Sequence, residues 1–187
     1  MLRISDINKD EAGHWTLAIH ADRGVGKTLK NKGSARTIPV HPELERLGFL
    51  TFVEDARKRG DWLFPSVSPA NPKGAEAWSA WFSRCLKRLK IGGHRKGLHS
   101  LRHNFKDALR AGSVPDGLSE ALMGHSGTTM GQRYGARRHA KDRHKVIIDR
   151  YGMAQLVEAI GKVKYPSIDL PTVRWRAAHG EVFGLAR

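Results

Sequence analysis

The run from Gly97 to Gly135 constrains this chain more than any other stretch. Leu98, Leu101, Phe105, Ala108 and Leu109 recur at helical spacing, which predicts a helix with one face able to dock on a core. His99 and Arg102 are three apart and Lys106 continues their line, so these three share a neighbouring face of the same helix. Pro115 to Met123 predicts a short second helix that packs through Leu118, Ala121 and Leu122. Gly124 and Gly127 then flank His125 and predict a tight turn presenting it. Tyr134 follows a small, polar segment that reads as a loop or short helix able to move.

Four residues of this run carry chemistry: His99, Arg102, His125 and Tyr134. A helix start offers free N–H groups and the positive end of the dipole, which suits a phosphate. A guanidinium adds a planar fork that holds two phosphate oxygens at once. Taken one at a time, each has a plainer reading: a solvated or core histidine, a packing tyrosine, an arginine on a wet helix face. Their joint order and spacing changes the weighting.

That order resembles the tyrosine recombinases of the phage integrase family. His99-Ser100-Leu101-Arg102 matches the family's His-x-x-Arg at a helix start. Met123-Gly124-His125-Ser126 matches its Leu-Gly-His-Ser segment, and Tyr134 follows His125 by the nine residues that separate the family's nucleophile from that histidine. The resemblance implies that Tyr134, Arg102, His99 and His125 are catalytic. It implies a family fold of the α+β class, mainly helical with a small antiparallel sheet near the N-terminus.

Charge points to the same kind of partner. The 187 residues carry a formal net charge of +15, with a sequence pI near 10.4. Folding gains nothing from so much like charge, because self-repulsion opposes compaction. A polyanion is the simple explanation, since Lys and Arg displace counterions from phosphates. The resemblance implies that this polyanion is double-stranded DNA. No long apolar run predicts a membrane span, and no apolar segment follows Met1 to suggest a secretory signal. The single cysteine, Cys85, cannot close an internal disulfide, which fits a reducing cytoplasm; the expected location is cytoplasmic, at the nucleoid.

Near the N-terminus, Leu2, Asp6 and Ile7 match a Leu-x-x-x-Asp-Ile segment that follows the family's first catalytic arginine by about two helical turns. Arg3 does not match that arginine, so the resemblance implies that it and the family's first helix would lie before Met1. Trp15, Leu17 and Ile19 alternate with Thr16, Ala18 and His20 and predict a strand. Arg36 to Val40 predicts another, and the two make a hairpin with a long basic tip from Arg23 to Gly33.

The tip holds Gly24-Val25-Gly26-Lys27-Thr28, which imitates a phosphate-binding loop. Ala21 stands where that loop needs its first glycine, and the residues after Thr28 are poor helix formers. The stretch from Leu29 to Pro39 instead resembles the family's Lys-Thr-x-x-Ser-x-Arg-x-x-Pro pattern, with Asn31 in place of the Thr. The resemblance implies that Lys30 is the catalytic lysine, with Lys27 and Lys32 as rivals. Lys27, Lys32, Arg36, Lys106, Arg133, Arg137 and Arg138 are the candidate DNA contacts.

Elsewhere the pattern is structural. His41-Pro42 opens a helix predicted to run to Arg59, with Gly60 ending it. A further helix is predicted over 75–89, where Trp78, Trp81, Phe82, Cys85, Leu86 and Leu89 form an apolar stripe suited to a core. A basic run from Arg137 to Lys145 leads into an amphipathic helix through Leu156 and Ile160. Residues 1–164 are read as the catalytic domain. In the resembled family such a tail as 165–187 packs on a neighbouring protomer, and a tetramer assembles on DNA. His99 and His103 have zinc-helix spacing, but Ser100 replaces the glutamate of the metalloprotease pattern; no metal or cofactor is predicted.

The function expected is site-specific recombination through a 3′-phosphotyrosyl link. Two alternatives stand beside it: a DNA-binding module without catalysis, and a type IB topoisomerase, which shares the phosphotyrosyl chemistry but against which the Gly-His-Ser segment favours an integrase.

Overall fold

The computed structural model describes residues 1–29, 34–69, 71, 73–91, 96–124, 151–166 and 168. Three strands form one antiparallel sheet in chain order: β1 (Ile7–Lys9), β2 (Trp15–Ile19) and β3 (Arg36–Pro39). β2 and β3 are the two predicted strands. The register sets Ile7 opposite Leu17 and Leu17 opposite Ile38. Cross-strand partners share a face, so these three make one apolar row across the sheet. Arg36 is two residues before Ile38 and therefore points from the same face.

Six helices are described, and some of them pack on that face. The six are α1 (Pro42–Arg46), α2 (Phe49–Arg57), α3 (Gly74–Arg88), α4 (Leu98–Ala111), α5 (Asp116–Met123) and α6 (Met153–Gly161). The α+β architecture with a small N-terminal antiparallel sheet is thus the one expected from the sequence.

The apolar row ends in a different core cluster on each side. At the β1 end, Ile4 and Ile7 meet Val53, Ala56 and Leu63, with Leu17 packed against them. At the β3 end, Ile38 packs on a cluster built by α4, α5 and α6. Leu109 has no exposed surface there, and Leu122, Leu156, Ile160 and Val163 are buried beside it. His41 fastens this cluster to the sheet: its Nδ1 accepts from Glu43 N, so Nε2 carries the proton and donates to Val163 O at 2.9 Å.

Two local expectations change. The helix predicted through Arg59 is two helices, because Gly48 takes φ +89, a left-handed conformation that interrupts the ladder. The aromatic stripe of α3 is not core. Trp78 and Trp81 stack on each other with centroids 4.6 Å apart, and both are exposed, as is Leu89. The helical period identified an apolar face correctly, but only Gly74 of α3 is buried.

A candidate phosphate site at the end of helix α5

Helix α4 carries the first group of predicted site residues. Gly97 N donates to Ser100 Oγ at 3.1 Å, which closes the first turn. Ala108 and Leu109 anchor its far half in the core, and this fixes the rotation of the near half. His99 is exposed, and its ring meets His103 edge-on with centroids 5.0 Å apart. Lys106 is half-buried. Arg102, also half-buried, reaches across to the end of α5, where Nη2 donates to Met123 O at 2.8 Å.

A second guanidinium arrives at the same place from the sheet. Arg36 Nε donates to Leu122 O at 3.1 Å and Nη1 donates to Ser34 O at 2.8 Å. Two arginines from different elements thus hold consecutive carbonyls of one helix end. Those carbonyls have no partner within the helix, so guanidiniums are natural caps for them. Burial, and then the charge of Arg102, make the Arg36 guanidinium harder to protonate than usual. An arginine remains charged at any ordinary pH despite this.

Gly124 closes α5 with φ +67, in the left-handed region. It also lies against Arg36: a Cβ built there would stand 2.4 Å from Nη1 and 2.7 Å from Cζ. The glycine before His125 therefore has two physical reasons, its backbone conformation and the guanidinium beside it.

Lys27 is elsewhere. Its side chain is 2 % exposed, and Nζ sits 2.5 Å from Asp6 Oδ2. Asp6 is equally buried; it also accepts from Arg3 N at 2.7 Å and pairs with His20 Nε2 at 2.8 Å. Burial alone would raise the Asp6 carboxyl, but the bonds from Lys27, Arg3 and His20 outweigh it and hold it below the usual carboxylate range. Lys27 turns its ammonium into the protein rather than toward a surface ligand. Its pair with Asp6 ties the base of the long hairpin tip to the start of β1, and a backbone bridge between Asp22 and Lys27 narrows that base.

Arg36, Arg102, His99 and Lys106 are therefore described, and the first two converge. Lys30, Lys32, His125, Arg133, Tyr134, Arg137 and Arg138 lie outside the described residues. Sequence reasoning had Arg36 only as a DNA contact and had no role for Asp6 beyond its place in a motif. A side chain whose partner is a backbone carbonyl leaves no complementary residue to find. Among the described residues no group of three or more His, Cys, Asp and Glu is placed to hold a metal ion. Among them, too, no helix is long and apolar enough to cross a membrane.

Comparison with curated proteins and with solved structures found no match. A family comparison did find one: the model described as "Phage integrase family" matches residues 1–141, about three quarters of the chain and all four motif residues. With the helical fold, the N-terminal sheet and the α4–α5 junction already in place, that match shows that this chain belongs to the phage integrase family, whose business is site-specific DNA recombination.

Proposed function

We propose that the chain breaks and rejoins DNA strands through a 3′-phosphotyrosyl intermediate. The observation that carries this reading is the meeting of Arg102 and Arg36 at the end of α5, two residues before His125 in the chain. Double-stranded DNA is the substrate, and the +15 net charge supports binding to it. The working form is a homo-oligomer, a tetramer when two sites are held together.

A phenol has a pKa near 10 and is a weak nucleophile at neutral pH. Attack on a phosphodiester also gathers negative charge on the non-bridging oxygens. Fixed cations aimed at those oxygens lower that barrier because they need no reorganisation as the charge develops. In this scheme the Tyr134 oxygen bonds to phosphorus and the bond from phosphorus to the 5′-oxygen breaks. Lys30 gives the leaving 5′-oxygen its proton. Arg102 clamps the phosphate, His99 assists removal of the phenol proton, and His125 donates a hydrogen bond to a phosphate oxygen. A 5′-hydroxyl from another strand reverses the step, so the bond energy is conserved. Lys32, Lys106, Arg133, Arg137 and Arg138 are assigned to the DNA backbone, while Lys27 holds the base of the loop that bears Lys30.

The test is incubation of the chain with a nicked suicide duplex that traps the covalent adduct. The expected result is a protein–DNA adduct in the wild type and none with Tyr134→Phe. An adduct of undiminished yield in that variant would remove Tyr134 from its role, and DNA binding without any wild-type adduct would reduce the chain to a binding module.

A further inference from the structure

Arg36 comes from the sheet and Arg102 from a helix, yet both lie on adjacent carbonyls, Leu122 O and Met123 O. Among the described residues, no carboxylate forms an ion pair with either one. The described acceptors of the two guanidiniums at the end of α5 are backbone carbonyls, where the helix dipole is equivalent to roughly half an elementary charge. Two whole positive charges face it. The carbonyls orient the guanidiniums but do not neutralise them; burial first, and then the charge of Arg102, make Arg36 harder to protonate than usual.

Donor capacity points the same way. A guanidinium has five N–H groups. The described carbonyls of Leu122 and Ser34 take two from Arg36, and Met123 takes one from Arg102. The remaining donors of both forks have no partner among the described residues. Because backbone atoms fix the forks, the arrangement is preorganised for an acceptor that is compact, oxygen-rich and negative. A side chain at position 124 would stand where the Arg36 guanidinium lies, so Gly124 is what lets Arg36 reach the end of α5.

We propose that Arg36 and Arg102 form a two-guanidinium seat for a single phosphate, the one at which the DNA strand reacts, each fork taking one non-bridging oxygen. Arg36 is thereby a phosphate-holding residue of the reaction rather than a general contact along the backbone. The assignment of the seat to the reacting phosphate rests on the recombinase reading above; the seat itself does not.

Two measurements on the full chain test the two parts separately. In the first, inorganic phosphate is titrated while the arginine Nε–H resonances are followed by NMR. The Arg36 and Arg102 signals are expected to shift together along one binding curve. Arg36→Lys, which keeps the charge but loses the fork, is expected to weaken phosphate binding about tenfold, the loss of one charge-assisted hydrogen bond. A curve on which Arg102 moves alone, or on which neither moves, overturns the seat. In the second, suicide duplexes carry either a normal phosphate or an uncharged methylphosphonate at the reacting position. Arg36→Ala is expected to slow adduct formation at least tenfold on phosphate and far less on methylphosphonate. Equal slowing on both substrates overturns the proposal, since a merely structural arginine would act in that way. Joint phosphate binding with no adduct from any duplex leaves the seat standing and removes the recombinase reading. A Tyr134-dependent adduct formed at full rate by Arg36→Ala does the reverse. Thermal melting of both variants confirms that each comparison is made on folded protein.

Discussion

Gly124 and Arg36 are locked to each other: the glycine Cα carries no side chain where the Arg36 Nη1 lies, and an added Cβ would come within 2.4 Å of it. The chain turns at this glycine with φ +67 to leave α5. One residue thus releases the helix and makes room for a cation from the sheet. Gly124→Ala is expected to lose about 1–2 kcal/mol of stability through the left-handed backbone alone. It is also expected to displace the Arg36 guanidinium and to cut adduct formation by more than the stability loss explains. Urea unfolding beside an adduct assay decides it; an unchanged adduct rate would show that the close approach has no catalytic consequence.

Asp6 and Lys27 form a buried pair, so removing one partner strands the other. Asp6→Asn or Lys27→Met is expected to cost about 3–5 kcal/mol, the usual result when one buried charge is left alone. The double variant Asp6→Asn with Lys27→Met is expected to be more stable than the sum of the two single losses predicts, because no unpaired charge remains buried. A double variant whose loss equals the sum of the two singles would show that the side chains act independently.

The pH dependence follows from the direction of the Asp6 shift. Its folded carboxyl is held below the value near 3.9 that it has in an unfolded chain. The unfolded state therefore binds the proton more readily, and stability from this group is present above about pH 4 and is lost as pH falls through the lower folded value. Wild type and Asp6→Asn, unfolded in urea from pH 7 downward, are expected to differ by a constant amount until about pH 4 and to converge below it. A gap that stays constant to the lowest pH at which both fold would remove the ion pair as its source.

Core and surface should separate cleanly in α4 and α3. Leu109, with no exposed surface, is expected to cost about 2–5 kcal/mol on truncation to Ala. Trp78, 42 % exposed and stacked on Trp81, is expected to cost no more than ~1 kcal/mol. Equilibrium unfolding of the two variants measures both. A Trp78→Ala loss as large as that of Leu109→Ala would return the α3 stripe to the core.

Much of the architecture was legible in the chain. Period-two alternation located β2 and β3, and helical periodicity with Gly and Pro punctuation located α4 and α5 within a residue or two. These signals are local, written by side chains a few positions apart. The family, too, was legible, because His99, Arg102, His125 and Tyr134 keep a fixed order and spacing whatever surrounds them. Periodicity could not tell that the aromatic face of α3 stays in solvent, since an apolar stripe records a preference and not the presence of a neighbour. Nor could it separate one lysine from another in a basic loop. Lys27 is set apart from the others by Asp6, which lies far before it in the chain and meets it only once β1 and the hairpin tip are brought together.

The sequence by itself determined the class of fold and the family, since the order and spacing of motifs are properties of the chain before it folds. Only the tertiary structure decided that Arg36 and Arg102 share one helix end and that Gly124 gives Arg36 room there. Both arginines bind backbone carbonyls, groups that every residue carries alike, so no pattern of letters could have shown the meeting.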